Sequence, residues 1–286
     1  MPIIHLEDVS KLYGFGDATT LALDEVSLDI EEGEFVAVMG PSGCGKSTLM
    51  NVIGLLDRPT HGVFTLHDKS AAKLSPNQSA KIRRDTIGFI FQSYNLLPKY
   101  TALENVALPL TYKGIPLTKR LKMASNILER VGMQSREYYL PSQLSGGQVQ
   151  SVAIARALVN NPKLIIADEP TGNLDSAGSR LVMELLSEIH RMGNTILFVT
   201  HNPELTRYAT RVVYMHDGTI VQDEHTAIGQ MARTARRAMF KPVMTEEDDL
   251  AGVSALMKAL PSKSSKRKKS NVKKPKSTSM RRRTAK

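Results

Sequence analysis

Nine consecutive residues, GPSGCGKST from Gly40 to Thr48, carry the clearest chemistry in the chain. Gly40, Gly45, Lys46 and Ser47 satisfy the phosphate-binding pattern G-x-x-x-x-G-K-[ST], with Pro41, Ser42, Gly43 and Cys44 between them. Glycines allow the backbone to curl until successive N–H groups converge on phosphate oxygens, and a helix N-terminus there adds partial positive charge. Lys46 can then reach the β- and γ-phosphates, and the Ser47 hydroxyl can ligate Mg²⁺. Cys44 is the only cysteine of the chain. Its place in the loop predicts a thiol whose modification intrudes on the phosphates and is blocked by a bound nucleotide.

Two further groups of residues fit the same chemistry. Asp168 and Glu169 follow the apolar run LIIA, so both carboxylates belong at the end of a buried strand, where open α/β sheets bind ligands. Asp168 can support Mg²⁺ and Glu169 can take a proton from an attacking water. Gln92 and His201 each close a β-rich segment, TIGFIFQ and NTILFVTH. An amide there can position water and touch the metal, and an imidazole can donate a hydrogen bond to a γ-phosphate. The run LSGGQ supplies a second anion site at a helix N-terminus, made of Ser145, Gly146, Gly147 and Gln148. One triphosphate hardly needs two such loops, so the second is read as capping a nucleotide held by another copy of the chain.

These residues require strands to carry them. Phe35 to Met39 (FVAVM) is apolar and β-prone, and TLMNVIGLL after the glycine loop reads as a helix beginning near Lys46. Residues 1 to about 34 form two β-like segments, read as an antiparallel layer, and HGVFTLH at 61 to 67 adds a strand. From about 95 to 160 the pattern is helical, with breaks predicted at Pro98, Pro109, Gly114, Pro116 and Pro141. KLIIADEP, a helix over 180 to 192, NTILFVTH, and a hairpin around Asp217-Gly218 restore the α/β alternation, which ends near Gln222. Two helices are expected beyond it, at 226 to 241 and 245 to 260. The first carries Ile228, Met231, Ala232, Ala235 and Met239 on one face.

Composition narrows the class. The 286 residues are 41% hydrophobic and 23% charged, as in a soluble globular protein. No apolar run approaches the roughly 18 residues that span a bilayer, and the N-terminus lacks the regions of a signal peptide. With a single cysteine, the expectation is a cytoplasmic protein. The net charge of +10 is local: 12 of the 38 Lys and Arg fall in residues 262 to 286, which contain no acid. The other 26 face 28 Asp and Glu, a net of −2. That tail is expected to be disordered. Its polyanionic partners would be anionic lipid headgroups or nucleic acid.

Taken in order, GPSGCGKST, FQSYNLLP, LSGGQ, LIIADEP, GNLD and FVTH resemble the nucleotide-binding subunit of ABC transporters, over residues 1 to about 222. GLLDRPTHG, LPKYTALENVALPL and ADEPTGNLDS bring the likeness nearer to the lipoprotein-releasing, macrolide-efflux and antimicrobial-peptide-exporting subgroup. The resemblance implies an α/β P-loop NTPase core with a mostly parallel sheet, an N-terminal antiparallel β layer and an inserted helical subdomain. It implies ATP and Mg²⁺ as cofactors, with Tyr13 stacked on adenine and Asp175 bridging two subunits of a homodimer. Gln92 would sense Mg²⁺ and the coupling interface, and the helical block would face an integral-membrane permease on the inner side of the membrane. The sequence departs from the family at Val149 and Ser151, where LSGGQQQR is usual, and at Asn202, where aspartate is common. Loss of the guanidinium at 151 is expected to weaken packing beside the LSGGQ helix. The competing reading is a soluble ATPase of the same family acting on nucleic acid or the ribosome; a regulator of cell-envelope enzymes, working through a non-transporting permease, is a third.

Overall fold

The computed structural model describes residues 2–14, 18–67 and 69–231. Strands β1 (Pro2–Tyr13) and β2 (Thr20–Glu31) pair antiparallel. In β2 the alternation of Val26, Leu28 and Ile30 with exposed residues leaves one buried face. After β3 (Phe35–Met39) and helix α1 (Lys46–Ile53), strand β4 (His61–Leu66) pairs with the free side of β1. The short β5 (Lys69–Ser70) closes this sheet in the order β2-β1-β4-β5. The antiparallel layer expected from the first 34 residues thus includes two later strands.

The second sheet has six strands. Helix α2 (Pro76–Thr86) starts from a capping box between Ser75 and Gln78 and leads into β6 (Ile87–Ile90). Helices α3 (Ala102–Thr111), α4 (Leu117–Arg130) and α5 (Gly146–Leu158) follow, then β7 (Leu164–Asp168), α6 (Ser176–Arg191) and β8 (Thr195–Thr200). The hairpin β9 (Arg211–His216) and β10 (Thr219–His225) completes the order β10-β9-β3-β8-β7-β6, parallel throughout except for β10. Every residue of β3 and β8 is buried, as a central parallel strand covered on both faces requires. Arg211 joins the sheets: it donates to the Asp29 carbonyl of β2 at 2.6 Å while gripping Asp223 with Nε and Nη2. No described helix is long and apolar enough to cross a membrane.

Helices α3, α4 and α5 gather their own apolar cluster, including Val106, Leu110, Ala124, Leu128, Val152 and Ala155. One sequence expectation changes here. Pro109 does not break its helix; it lies inside α3, whose last residue is Thr111. Its missing N–H costs α3 one intrahelical bond, to the Asn105 carbonyl, without ending the helix. Asn105, given no role of its own in the sequence analysis, is fully buried and organises the preceding loop. Its Oδ1 accepts the Leu97 N–H at 2.7 Å, and its Nδ2 donates to the carbonyls of Leu97, Tyr100 and Thr101.

Beyond the sheet, β10 extends to His225, past the expected end at Gln222. A helix begins at 227, and Thr226 anchors it by donating to the Ala209 carbonyl at 2.7 Å. Its contact with the core is through Gly229, which is buried against the Thr210 carbonyl. Ile228 and Met231, read from the sequence as an apolar packing face, are exposed. The rest of that helix, the one expected at 245 to 260 and the basic tail from 262 lie outside the described residues.

Cys44 also departs from expectation. Its backbone belongs to the glycine loop, but the residue is 2% exposed and joins the apolar core between the two sheets, with Lys46 donating to its Sγ at 3.7 Å. Alkylation is therefore expected to be slow with or without nucleotide, as followed by mass spectrometry; rapid labelling that ATP blocks would contradict this burial. Asn105→Ala is expected to destabilise the fold by about 1–3 kcal/mol, the cost of leaving a buried N–H unpaired, read as a lower midpoint in thermal unfolding.

Candidate functional site

Parallel pairing aligns the ends of three strands. Met39 of β3 lies beside Thr200 of β8, and Val199 of β8 lies beside Asp168 of β7. Gly40, His201 and Glu169 therefore leave the sheet along one edge. Two loop glycines are demanded by contact: a Cβ on Gly40 would fall 2.2 Å from the Met215 carbonyl oxygen, and one on Gly45 would fall 2.5 Å from that of Ala22. Gly45 also has φ 99°, a left-handed conformation that glycine adopts without strain. The β9–β10 turn braces the loop, since Gly218 donates to the Cys44 carbonyl at 3.1 Å and accepts from Asp24 N–H at 3.0 Å.

The result is a cavity of about 320 Å³. Its walls are Thr20, Leu21 and Ala22 of the antiparallel layer, Ser42, Gly43, Gly45, Lys46, Ser47 and Thr48 of the loop, and Asp168, Glu169, Val199 and His201 of the sheet edge. The Lys46 ammonium donates to the carbonyls of Gly40 at 2.8 Å and Pro41 at 2.6 Å. Burial pushes the Asp168 carboxyl above its ordinary pKa, the neighbouring Glu169 charge adds to the rise, and Lys46 opposes it. Glu169 stands at φ 45°, a strained setting for a side chain with a Cβ. Its N–H donates to the Val199 carbonyl at 3.1 Å, and its Oε1 meets His201 Nδ1 at 2.8 Å. The Glu169 side chain is 16% exposed and that of His201 is 71% exposed.

The oxygen donors fit magnesium. No cluster of three or more His, Cys, Asp or Glu among the described residues could hold a metal alone. Ser47 and Asp168 instead offer one hydroxyl and one carboxylate in the phosphate cavity. That is the small set of hard ligands Mg²⁺ takes when phosphates and water complete its shell.

Other expected residues stand further off. The Tyr13 hydroxyl donates to Asp57 Oδ2 at 2.8 Å and also meets the Thr48 side chain, so the ring is tethered at the end of the loop. Lys11 lies over that ring at 4.8 Å and donates to Asp57 Oδ1 at 2.7 Å. Asp57, which orients both, lies in the GLLDRPTHG run, but its tie to Tyr13 and Lys11 was not legible in the sequence. Gln92 does not line the phosphate cavity and sits two residues beyond β6 rather than closing it. It rests on Gly172, where a Cβ would come within 2.6 Å of its Nε2, and its carbonyl accepts from Asn173 at 2.9 Å.

The LSGGQ loop is absent from the walls of its own chain's phosphate cavity. Ser145 caps α5, accepting from Gln148 N–H, while Gln148 Oε1 accepts from Ser145 N–H at 3.0 Å. The cap uses an oxygen lone pair of Ser145, which leaves its hydroxyl proton free to donate. Asp175 caps α6 through the Gly178 N–H at 2.7 Å. At the departures, Val149 is buried, the Ser151 hydroxyl donates to the Gly147 carbonyl at 3.0 Å, and Asn202 Oδ1 accepts the Glu204 N–H at 2.9 Å.

Comparison with known proteins agrees with this geometry. The family model described as "ABC transporter" matches residues 23–172. The chain is 50% identical over 222 residues to the macrolide export ATP-binding/permease protein MacB of Hyphomonas neptunium, covering 78% of this chain and 34% of that one. It is 48% identical to the uncharacterized ABC transporter ATP-binding protein YvrO of Bacillus subtilis, covering 97% of it. Its fold is similar, at TM-score 0.72 and 44% identity, to a dimeric ATP-binding cassette solved in a post-hydrolysis state with ADP and Pi, covering 78% of this chain and 98% of that one. The chain belongs to the ABC transporter family of ATP-binding proteins.

Proposed function

We propose that this chain hydrolyses ATP in a head-to-tail homodimer and drives an integral-membrane permease of the efflux or lipoprotein-release type. One observation carries the dimer: the glycine loop, Asp168, Glu169 and His201 share one cavity, while the second anion-binding loop stands outside it. The helix N-terminus at Ser145 then serves a nucleotide on the partner copy. The similar cassette bound to ADP and Pi is itself dimeric, which supports this reading.

In the mechanism, loop N–H groups and the helix α1 N-terminus hold the phosphates, and Lys46 shifts from its two carbonyls to β- and γ-phosphate oxygens. Ser47 and Asp168 would hold Mg²⁺, which supplies charge neutralisation between the β- and γ-phosphates when bound. Glu169 takes a proton from the water whose oxygen attacks the γ-phosphorus, and ADP leaves in line. His201 turns from Glu169 to donate to the γ-phosphate oxygens. Ser145 and Gly147 of the other copy close the face opposite the loop and exclude water.

The permease contact falls on a groove of about 1010 Å³ bounded by α2, β6, α3 and α5. Leu56, Leu108, Pro109, Tyr112 and the stacked rings of Phe89 and Phe91 give it an apolar floor, and Lys81 and Arg84 line it too. An amphipathic helix fits such a surface. The permease part of the name belongs to a relative of which this chain spans 34%. Bound to a permease, the chain would work at the inner face of the membrane.

Glu169→Gln is expected to lower kcat by about 10²-fold or more with ATP affinity unchanged, the scale of a lost general base, and to accumulate an ATP-bound dimer detectable by light scattering. Near wild-type hydrolysis in that variant would refute the assignment. Mixing two inactive variants, Lys46→Ala and Ser145→Arg, tests the shared site. In the mixed dimer one site holds both lesions and the other none, so ATPase activity should reappear on mixing; none would be regained if each chain formed a complete site alone.

A further inference from the structure

Gln150 lies in helix α5, is 0% exposed, and carries no family assignment in the site described above. Its Nε2 donates to the carbonyl of Pro170 at 2.7 Å. Its Oε1 is buried with no hydrogen-bond partner among the described residues. A side chain kept only for stability would not leave half of a buried amide unsatisfied, because an apolar residue of that size would cost less. The bond it does make therefore marks its purpose.

Pro170 follows Glu169, and the turn there is clamped from three directions. Val199 of β8 accepts the Glu169 N–H, and the Glu169 carbonyl accepts the Gly172 N–H at 3.0 Å. Gln150 supplies the third clamp, from the helix whose first turn is Ser145 to Gln148. The backbone at Glu169 is left-handed, so its direction is held by these contacts and not by local preference. Gln150 is one and a half helical turns from the Ser145 cap, close enough for a displacement of that terminus to reach the Pro170 carbonyl within one rigid element.

We infer that Gln150 is a positioning residue that aims Glu169 and links the LSGGQ loop of a chain to the general base of the same chain. The inference rests on the composite dimer and the base proposed above. A nucleotide seated against Ser145 by the partner copy thereby adjusts Glu169 at the chain's own nucleotide, which makes hydrolysis at the two sites cooperative.

The test uses the full chain with Mg-ATP and the near-isosteric Gln150→Met, which deletes the donor and the orphaned acceptor together. The expected result is a tenfold or greater fall in kcat, a Hill coefficient for ATP hydrolysis lowered towards one, an unchanged ATP dissociation constant and a thermal midpoint within a few degrees of the parent. In Glu169→Gln/Gln150→Met the second change should lower kcat little further, since the group it aims is gone. Wild-type kcat and Hill coefficient in Gln150→Met would overturn the inference. So would a loss that multiplies fully in the double variant, or a fall in kcat matched by a fall in thermal midpoint. If Glu169→Gln alone stays active, the base assignment fails instead, and the two failures are distinguishable.

Discussion

The site depends on the register of three parallel strands. Adjacent strands lie about 4.8 Å apart, so Gly40, His201 and Glu169 leave β3, β8 and β7 within roughly 10 Å of one another only if the strands end together. Their apolar runs do not enforce this, because strands buried on both faces tolerate a slip that an amphipathic strand would not. Polar pins at the opposite edge do. Thr195 at the start of β8 accepts the Gly33 N–H at 2.9 Å. Thr210, just before β9, accepts the Phe35 N–H at 2.9 Å and returns its own proton to the Phe35 carbonyl at 3.1 Å. Both threonines are nearly inaccessible, so a slip would strand their hydroxyls without partners.

What was legible in the sequence had local causes. The glycine loop, the acid pair after LIIA and the LSGGQ run are each written within a few neighbouring residues. The α/β alternation and the helical layer followed from the pattern of apolar residues, and the parallel sheet from the family resemblance. Features that depend on distant partners were invisible: Asp57 beneath Tyr13, Asn105 holding the 97–101 loop, and Gln150 on Pro170. Pro109 misled because a proline weakens a helix without being obliged to end it, and the apolar cluster shared with α4 and α5 supports α3 around it. The Cys44 thiol misled because loop membership fixes a backbone path and not the direction of a side chain. Gln92 is placed by Gly172, a neighbour that no pattern around it announces.

Two of the three departures beside the functional loops, Ser151 and Asn202, are absorbed locally. Ser151 bonds back to the carbonyl four residues earlier, so its hydroxyl is satisfied within helix α5. Asn202 caps its turn as an aspartate would, through a side-chain oxygen on the Glu204 N–H. Neither change touches the phosphate cavity. Helix α5 also keeps Arg156, whose half-buried guanidinium donates to the Tyr94 and Asn95 carbonyls in the segment after Gln92. Tyr94 and Asn95 both have left-handed backbones, so this cation holds a strained segment from the same helix that reaches Pro170.

The groups assigned to chemistry are engaged with one another before any substrate is considered. Lys46 is satisfied by two loop carbonyls, and Glu169 by His201. Phosphate must therefore displace existing hydrogen bonds, and the net gain is the difference between a charge-assisted contact and the bond it replaces. For Lys46 that difference is large, since phosphate carries full charges and carbonyls carry dipoles, so one copy can bind nucleotide unaided. For Glu169 it is small: its partner is exposed, and releasing the carboxylate does nothing until a γ-phosphate offers His201 a better acceptor. In the proposed cycle, binding proceeds in a single chain, and Glu169 becomes available as the base once His201 has turned to the γ-phosphate. The separation of affinity from turnover follows from which resting bonds are easy to replace.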